Sequence, residues 1–170
     1  MIWPWVIIGF LAFERLAELV YSEHNTRALL KRGAHEEGRG HYPLIVVFHV
    51  LWFAAVIGFL PQPASIHWVP LGLLAVFQVL RFWVLVTLGP YWTTRIITLP
   101  GAPLVRTGPY QFVRHPNYLV VMGEIALLPL VFGEIPVAVA FSIVHAGLIW
   151  WRIRSEDAAL SARRTASPPP

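Results

Sequence analysis

The stretch that decides the fold runs from Gly108 to Tyr118, with the sequence GPYQFVRHPNY, and leads into a long apolar run at 118–152. A membrane span takes about 20 residues, so this run is too long for one span, and Gly-Glu-Ile-Pro at 133–136 interrupts it. It therefore predicts a helical hairpin. Three polar residues end the hairpin and follow it: Arg152, Glu156 and Asp157. A cation-rich loop and a carboxylate pair thus lie at the two ends of one hairpin, which favours a buried pocket for a charged small molecule.

The composition indicates a membrane protein. The chain has 170 residues, of which 56% are hydrophobic and 13% charged, and its mean hydropathy is +0.60. A soluble domain of this size rarely combines these values. The chain has no cysteine, which excludes disulfides, thiolate metal sites and a cysteine nucleophile.

Apolar runs long enough to cross a bilayer also occur at 2–21, 43–60 and 66–88. With the two halves of the hairpin they predict an all-α integral membrane bundle of about five transmembrane helices. We expect one domain over residues 1–164. The tail at 165–170 ends in Ser-Pro-Pro-Pro and is predicted to be disordered.

The basic residues predict the orientation of this bundle. The connections at 22–41 and 89–117 carry Arg or Lys, whereas 61–67 and 133–136 carry neither. Because basic loops stay in the cytosol, the amino terminus is expected outside and the carboxyl terminus inside. The net charge of +4 is dispersed among loops, so it favours contact with membrane lipids over binding of nucleic acid. Residues 22–41 are predicted to extend the first helix through Leu30, and 89–117 to be irregular.

Several polar residues interrupt the predicted spans. A charge in hydrocarbon costs about 2.5–3.5 kcal/mol, so each needs a compensating reason. Most fall near the cytosolic end, which predicts a polar cavity in the inner half of the bundle and a sealed outer half, unlike a channel. The residues are Glu14, Arg15, Glu18, His49, Gln78, Arg81, Glu124 and His145.

Each of these groups also has a structural interpretation. Arg15 and Glu18 are three residues apart and can neutralise one another on a helix face. Glu124 can pair with Arg81 or Arg152 and close the cavity instead of contacting a ligand. The two histidines can each bond a helix carbonyl.

The Arg-His-Pro-Asn-Tyr motif is harder to explain by structure alone. Pro116 stands where a helix begins, with Asn117 and Tyr118 in its first turn, so free backbone N–H groups there attract anions. Arg114 and His115 add donors for a carboxylate or ribose. At the other end of the hairpin, an Arg and a Glu four residues apart share one helix face. Plain juxtamembrane charge is the alternative interpretation.

Residues 103–160 resemble the integral-membrane methyltransferases that include isoprenylcysteine carboxyl methyltransferase and phosphatidylethanolamine N-methyltransferase. The motif residues are Gly108, Tyr110, Arg114, His115, Pro116 and Tyr118, then Arg152, Glu156 and Asp157. The resemblance implies a methyltransferase that binds S-adenosylmethionine at these positions. Two departures stand out, Val120 where the family often has Gly and Asp157 where it has Glu.

Over its whole length the chain is similar to a bacterial branch of membrane O-methyltransferases that act on alkylpyrones. The suggestive stretches are 14–25, 41–43, 92–95 and 99–102. This resemblance implies a bacterial inner-membrane enzyme with a lipophilic polyketide substrate. The alternatives are carboxyl methylation of isoprenylcysteine, N-methylation of a phospholipid headgroup, and a non-enzymatic scaffold or transporter subunit. The oligomeric state is left open.

The resemblance also assigns roles. We expect His115 and Tyr118 to hold the adenosine or methionine part, Glu156 the ribose or amino group, and Arg114 or Arg152 a carboxylate or the substrate oxyanion. Catalytic candidates are Arg114, Arg152 and Glu156, and the cofactor-binding candidates are Tyr110, His115, Pro116, Asn117, Tyr118, Glu156 and Asp157. Substrate candidates are Glu14, His49, Arg81, Trp92, Arg95, Glu124 and His145. An ionised acceptor needs no base, whereas an alcohol makes either histidine a candidate base. No motif calls for a metal.

Overall fold

The computed structural model describes residues 2–38 and 40–166, and the side chains of 2–38, 40 and 42–159. Five α-helices and one two-stranded antiparallel sheet occupy this part of the chain. The helices are α1 (Trp3–Lys31), α2 (His41–Gly58), α3 (Trp68–Leu88), α4 (Pro116–Val131) and α5 (Ile135–Ala166), and the strands are β1 (His35–Glu37) and β2 (Ile96–Thr98). The predicted disordered tail overlaps the end of α5 at 165–166, and 167–170 lie outside the described residues.

The hairpin predicted from the sequence is present as α4 and α5. Pro116 opens α4, because a helix start needs no N–H donor from its first residue. Gly133 adopts a φ of 79°, a left-handed conformation that glycine tolerates, and the chain reverses there. The predicted break at 133–136 is therefore confirmed. Helix α3 lies directly against α4, since a Cβ on Gly123 would come within 2.4 Å of the Phe77 ring.

The apolar core lies at one end of the bundle, formed by the amino-terminal parts of α1, α3 and α5 and the carboxyl-terminal parts of α2 and α4. Its most buried side chains are Val56, Leu128, Val131 and Phe132. Burying such side chains contributes about 1.5–3 kcal/mol each. We call the opposite end the polar end, because the polar side chains of the predicted spans gather there.

Two helices, at Trp68–Tyr91 and Ile135–Ala159, are long and apolar enough to cross a membrane, and two shorter apolar helices cover Tyr42–Gly58 and Pro116–Val131. Large apolar side chains cover the outside of the bundle; examples are Phe13, Val20, Val79, Phe82 and Ile143. An apolar exterior of this extent is typical of helices that face lipid. The predicted number of helices is confirmed, while five complete crossings stay a prediction.

The connections at the polar end are more ordered than the sequence indicates. Helix α1 runs one residue beyond the predicted Leu30, and β1 follows it. Within 89–117, expected to be irregular, β2 pairs with β1 so that Glu36 lies opposite Ile97. Strands of three residues are too short to show an alternating pattern, and their partner lies far along the chain. The sheet fastens the 89–106 segment across the polar end.

Candidate active site

One cavity of about 1000 Å³ opens at the polar end, bounded by all five helices and by the 89–106 segment. Cavities that hold small molecules usually measure about 300–1000 Å³. Helix α5 contributes one face to it, through His145, Ile149, Arg152 and Glu156. These residues span about 16 Å of helix at 1.5 Å per residue. The cavity is therefore a deep column with room for more than one ligand.

At the mouth of the cavity, the two ends of the hairpin meet in a group that we call the hairpin cluster: His115, Tyr118, Arg152, Glu156 and Asp157. The Tyr118 hydroxyl accepts a hydrogen bond from Arg152 Nε at 2.9 Å and donates one to Glu156. His115 Nε2 lies 3.2 Å from an Asp157 oxygen, and its ring stacks on Tyr118 with centroids 5.4 Å apart. The start of α4 and the end of α5 thus converge on one site.

The charges of the hairpin cluster are only partly neutralised by the protein. Arg152 is buried and also donates to the Thr94 carbonyl, which ties α5 to the 89–106 segment. Glu156 keeps a quarter of its side chain exposed, at 27%, and lines the cavity. Burial and this nearby carboxylate raise the pKa of Tyr110 above its ordinary value, so Tyr110 faces the cavity as a neutral hydroxyl.

Deeper between the helices lies a second polar group, which we call the buried network: Arg15, Glu18, Arg81 and Glu124. Arg15 bonds Glu18 at 2.9 Å and Glu124 at 2.8 Å. Arg81 bonds Glu124 at 2.7 Å and also binds Glu18. Gln78 donates to Glu124 as well. The predicted pairing of Arg15 with Glu18, and of Glu124 with Arg81, is confirmed.

The 89–106 segment forms the roof of the cavity and is bound to the extension of α1. Asn25 donates to the backbone carbonyls of Gly89 and Trp92, and the Ser22 and Thr94 hydroxyls lie 2.8 Å apart. Sequence reasoning did not single out Ser22, Asn25 or Thr94 as partners. Stretches 14–25 and 92–95 both belong to the likeness to the bacterial branch. That shared likeness was the available signal that the two stretches lie close together.

Arg95 holds the edge of the roof. Its guanidinium lies 3.3 Å from Glu36 and 3.7 Å from Glu23, and it covers the Tyr42 ring at 4.9 Å from the centroid. These contacts join β1, β2, α1 and α2 at the rim of the cavity. The rim is consequently fastened by two ion pairs and a cation–π contact.

The structure brings most of the predicted site residues to one cavity. Those on its wall are His49, Arg81, Trp92, Arg95, Tyr110, Arg114, His115, Asn117, Tyr118, His145, Arg152 and Glu156. Pro116 is buried at the start of α4, and Asp157 contacts the cavity through His115. Glu14 and Glu124 lie behind the wall, where Glu124 belongs to the buried network and Glu14 lies 3.7 Å from Arg15. Among the described residues, no group of three or more His, Asp or Glu is arranged to hold a metal ion.

A helical bundle with a lipid-type exterior is typical of the class of membrane proteins, and the polar cavity closed by the helical hairpin is its candidate ligand site. The chain belongs to the isoprenylcysteine carboxyl methyltransferase (ICMT) family, whose model matches residues 70–162. Membership indicates a membrane methyltransferase. The matched part begins in α3 and includes the whole hairpin cluster, but not α1 or α2.

Two relatives extend the likeness to the first helices. "Uncharacterized protein YpbQ" of Bacillus subtilis (strain 168) is 42% identical over 163 residues, covering 92% of this chain and 95% of the relative. An uncharacterized protein of Haemophilus influenzae (strain Rd) is 28% identical over 152 residues, covering 86% and 88%. No solved structure matches the chain.

Proposed function

We propose that the protein transfers a methyl group from S-adenosylmethionine to a hydrophobic, lipid-like acceptor at the cytosolic face of the membrane. The observation that carries the proposal is the convergence of the hairpin cluster on one deep cavity between apolar helices. The acceptor we favour is an alkylpyrone or a related polyketide lipid, which receives the methyl group on oxygen.

The residues at the mouth of the cavity fit S-adenosylmethionine, which supplies an electrophilic methyl on a sulfonium when bound. Asn117 Oδ1 is buried on the cavity side without a hydrogen-bond partner among the described residues, so it can accept from an amino group. The Glu156 carboxylate can accept from the ribose hydroxyls or the ammonium. Arg114, exposed at the lip, can bind the carboxylate, and the stacked His115 and Tyr118 rings offer a flat surface to a purine.

The inner part of the cavity suits an acceptor with an apolar tail. Val46, Phe53 and Ile149 line this part of the wall. The cavity also reaches Leu16 on α1 and Val50 on α2, whose exposed fractions are 62% and 63%. It therefore opens sideways between α1 and α2 at residues that are exposed on the outside of the bundle. A lipid tail can enter there while the donor enters at the polar end.

Methyl transfer is an in-line displacement, so these residues have to align the nucleophile, exclude water and stabilise the changing charge. We assign the alignment to Arg152 and Glu156, which Tyr118 holds in one geometry, and binding of the donor carboxylate to Arg114. Trp92 is 2% exposed and closes the roof against water. The basic loops favour placing the polar end in the cytosol, where the donor is made, with the amino terminus outside a bacterial inner membrane.

Calorimetric titration of the purified protein with S-adenosylmethionine tests the proposal. We expect saturable binding by the parent, and at least about tenfold weaker binding by Glu156→Ala, which loses a charge-assisted contact, and by His115→Ala, which loses the stacked surface for the purine. Glu37→Ala is the matched control, because Glu37 lies on β1 and pairs with His35 away from the cavity. Absence of binding heat from folded parent protein would contradict the proposal and favour a scaffold or transporter subunit.

Labelled methyl transfer into membrane lipid extracts then identifies the acceptor. A methyl ether on an alkylpyrone or phenolic lipid is the expected product. A methylated phospholipid headgroup would instead identify a phospholipid as the acceptor. A base-labile methyl ester on a lipidated cysteine would identify an isoprenylcysteine carboxylate.

A further inference from the structure

Two histidines lie on the wall of the cavity beyond the hairpin cluster. His145 precedes Arg152 by two turns of α5, about 10 Å along the helix. His49 faces it from α2, with ring centroids 6.0 Å apart and the rings nearly perpendicular. Helix α2 lies outside the stretch that matches the family model, so the family assigns His49 no role.

The hydrogen bond of His49 determines which of its nitrogens is basic. Its Nδ1 lies 2.8 Å from the Ile45 carbonyl oxygen. A carbonyl only accepts, so Nδ1 carries the proton and the neutral ring keeps its lone pair on Nε2. Among the described residues, no carboxylate forms an ion pair with either histidine.

His145 offers an unsatisfied polar atom in the same place. Its side chain is only 2% exposed and stacks on Phe48, with centroids 5.2 Å apart. Its Nδ1 has no hydrogen-bond partner within the described part of the chain. An unpaired buried polar atom is unfavourable, and a hydrogen bond from a polar group on a ligand would relieve this.

Two guanidinium groups near His49, those of Arg15 and Arg152, already donate to protein groups. Arg15 donates to Glu18 and Glu124, and Arg152 donates to Tyr118 and to a backbone carbonyl. The inner end of the cavity offers imidazole nitrogens and apolar surface, which suit a neutral hydroxyl better than a carboxylate.

We propose that His49 is the general base for methyl transfer and that the acceptor is a neutral hydroxyl on a phenolic or enolic lipid. The proposal rests on the methyltransferase function above. The acceptor O–H proton passes to His49 Nε2 while its oxygen forms the new bond to the methyl carbon. The bond between sulfur and that carbon breaks, and its electron pair returns to sulfur. The products are a methyl ether, S-adenosylhomocysteine and a protonated His49.

Binding without the methyl donor is the first test. The probes are a long-chain alkylphenol and its methyl ether, which differ in the hydroxyl that His49 would accept. We expect the parent to prefer the phenol by about 3- to 10-fold, as one neutral hydrogen bond provides. His49→Ala should lose this preference, whereas His49→Gln should keep part of it through its amide oxygen. The control is His24→Ala, an exposed position on α1 outside the cavity.

Methylation rates give the second test, with alkylphenols of increasing acidity. His49→Gln should lower the rate of methylation of the weakly acidic phenol by about 10²–10⁴-fold, the usual contribution of a general base. The loss should shrink towards none for an alkylnitrophenol that is already ionised. An equal loss for every acceptor, or an unchanged phenol preference in His49→Ala, would overturn the proposal. Calorimetry with S-adenosylmethionine on the same variants separates this failure from failure of the proposed function.

Discussion

Helix α4 contributes one residue to each of two polar groups, about two turns apart, and these groups differ in how far protein contacts neutralise their charges. Glu124 belongs to the buried network, where each Arg and Glu side chain is bound by another and the Arg81 and Glu124 side chains are 3% and 4% exposed. Tyr118 belongs to the hairpin cluster, where His115, Glu156 and Asp157 keep 15–36% of their side chains exposed. The first group is closed by protein contacts and holds α1, α3 and α4 together. The second faces the cavity and has capacity left for a ligand.

The largest effect on stability is expected from breaking the buried network. Arg81→Met removes one of the two cations that Glu18 and Glu124 share and leaves both buried carboxylates to Arg15, so the free energy of unfolding should fall by about 3–5 kcal/mol. Unfolding of the purified protein in detergent micelles measures the change. The matched control is Arg27→Met, because Arg27 forms an exposed ion pair with Glu23 on α1. Loss of this pair should lower the free energy of unfolding by only about 0–1 kcal/mol. Equal stability of the two variants would show that the network does not hold the helices.

A substitution in the hairpin cluster should change ligand binding more than it changes the stability of the fold. Tyr118→Phe removes the hydroxyl that positions Glu156 against Arg152, so affinity for S-adenosylmethionine should fall by about tenfold. The free energy of unfolding should fall by only about 1 kcal/mol, because Arg152 keeps the Thr94 carbonyl. Calorimetry and unfolding on one preparation give both values. A variant that unfolds as readily as Arg81→Met would remove the distinction between the two groups.

The smallest effect concerns Glu134, in the turn between α4 and α5 at the apolar end. Its carboxyl oxygens have no hydrogen-bond partner among the described residues, and burial raises its pKa to about 7. The folded protein keeps this proton at a pH where the unfolded chain, with an ordinary value of 4.5, has lost it. Stability should therefore fall as pH rises from about 4.5 to about 7 and then level off.

Glu134→Gln cannot ionise and should lose this pH dependence. Its thermal unfolding midpoint, compared with that of the parent at about pH 5 and about pH 8, measures the difference. We expect the variant to be the more stable protein at the higher pH. Parallel pH profiles for the two proteins would show that Glu134 is solvated in the folded state.

Features that depend on neighbouring residues were predictable from the sequence. Apolar length predicts the helices, Pro116 predicts the start of α4, and the Gly-Glu-Ile-Pro turn predicts the break of the hairpin. The two ends of that hairpin, Tyr118 and Glu156, could be placed together because an antiparallel pair must bring them to the same side. The pairing of β1 with β2 and the contacts of Ser22 and Asn25 could not be predicted in this way. Their partners lie some 60–70 residues away in the chain.

The amino-acid sequence by itself determined a helical membrane-type chain whose hairpin carries a methyltransferase motif at both ends, because hydropathy and helix boundaries are local properties. Only the tertiary structure decided which charges neutralise one another and which face the cavity. Arg15 and Glu156 are both ionisable residues near the end of a predicted span, and nothing local distinguishes them. The difference arises from the packing of α1, α3 and α4, which surrounds Arg15 with carboxylates and leaves Glu156 beside an open column.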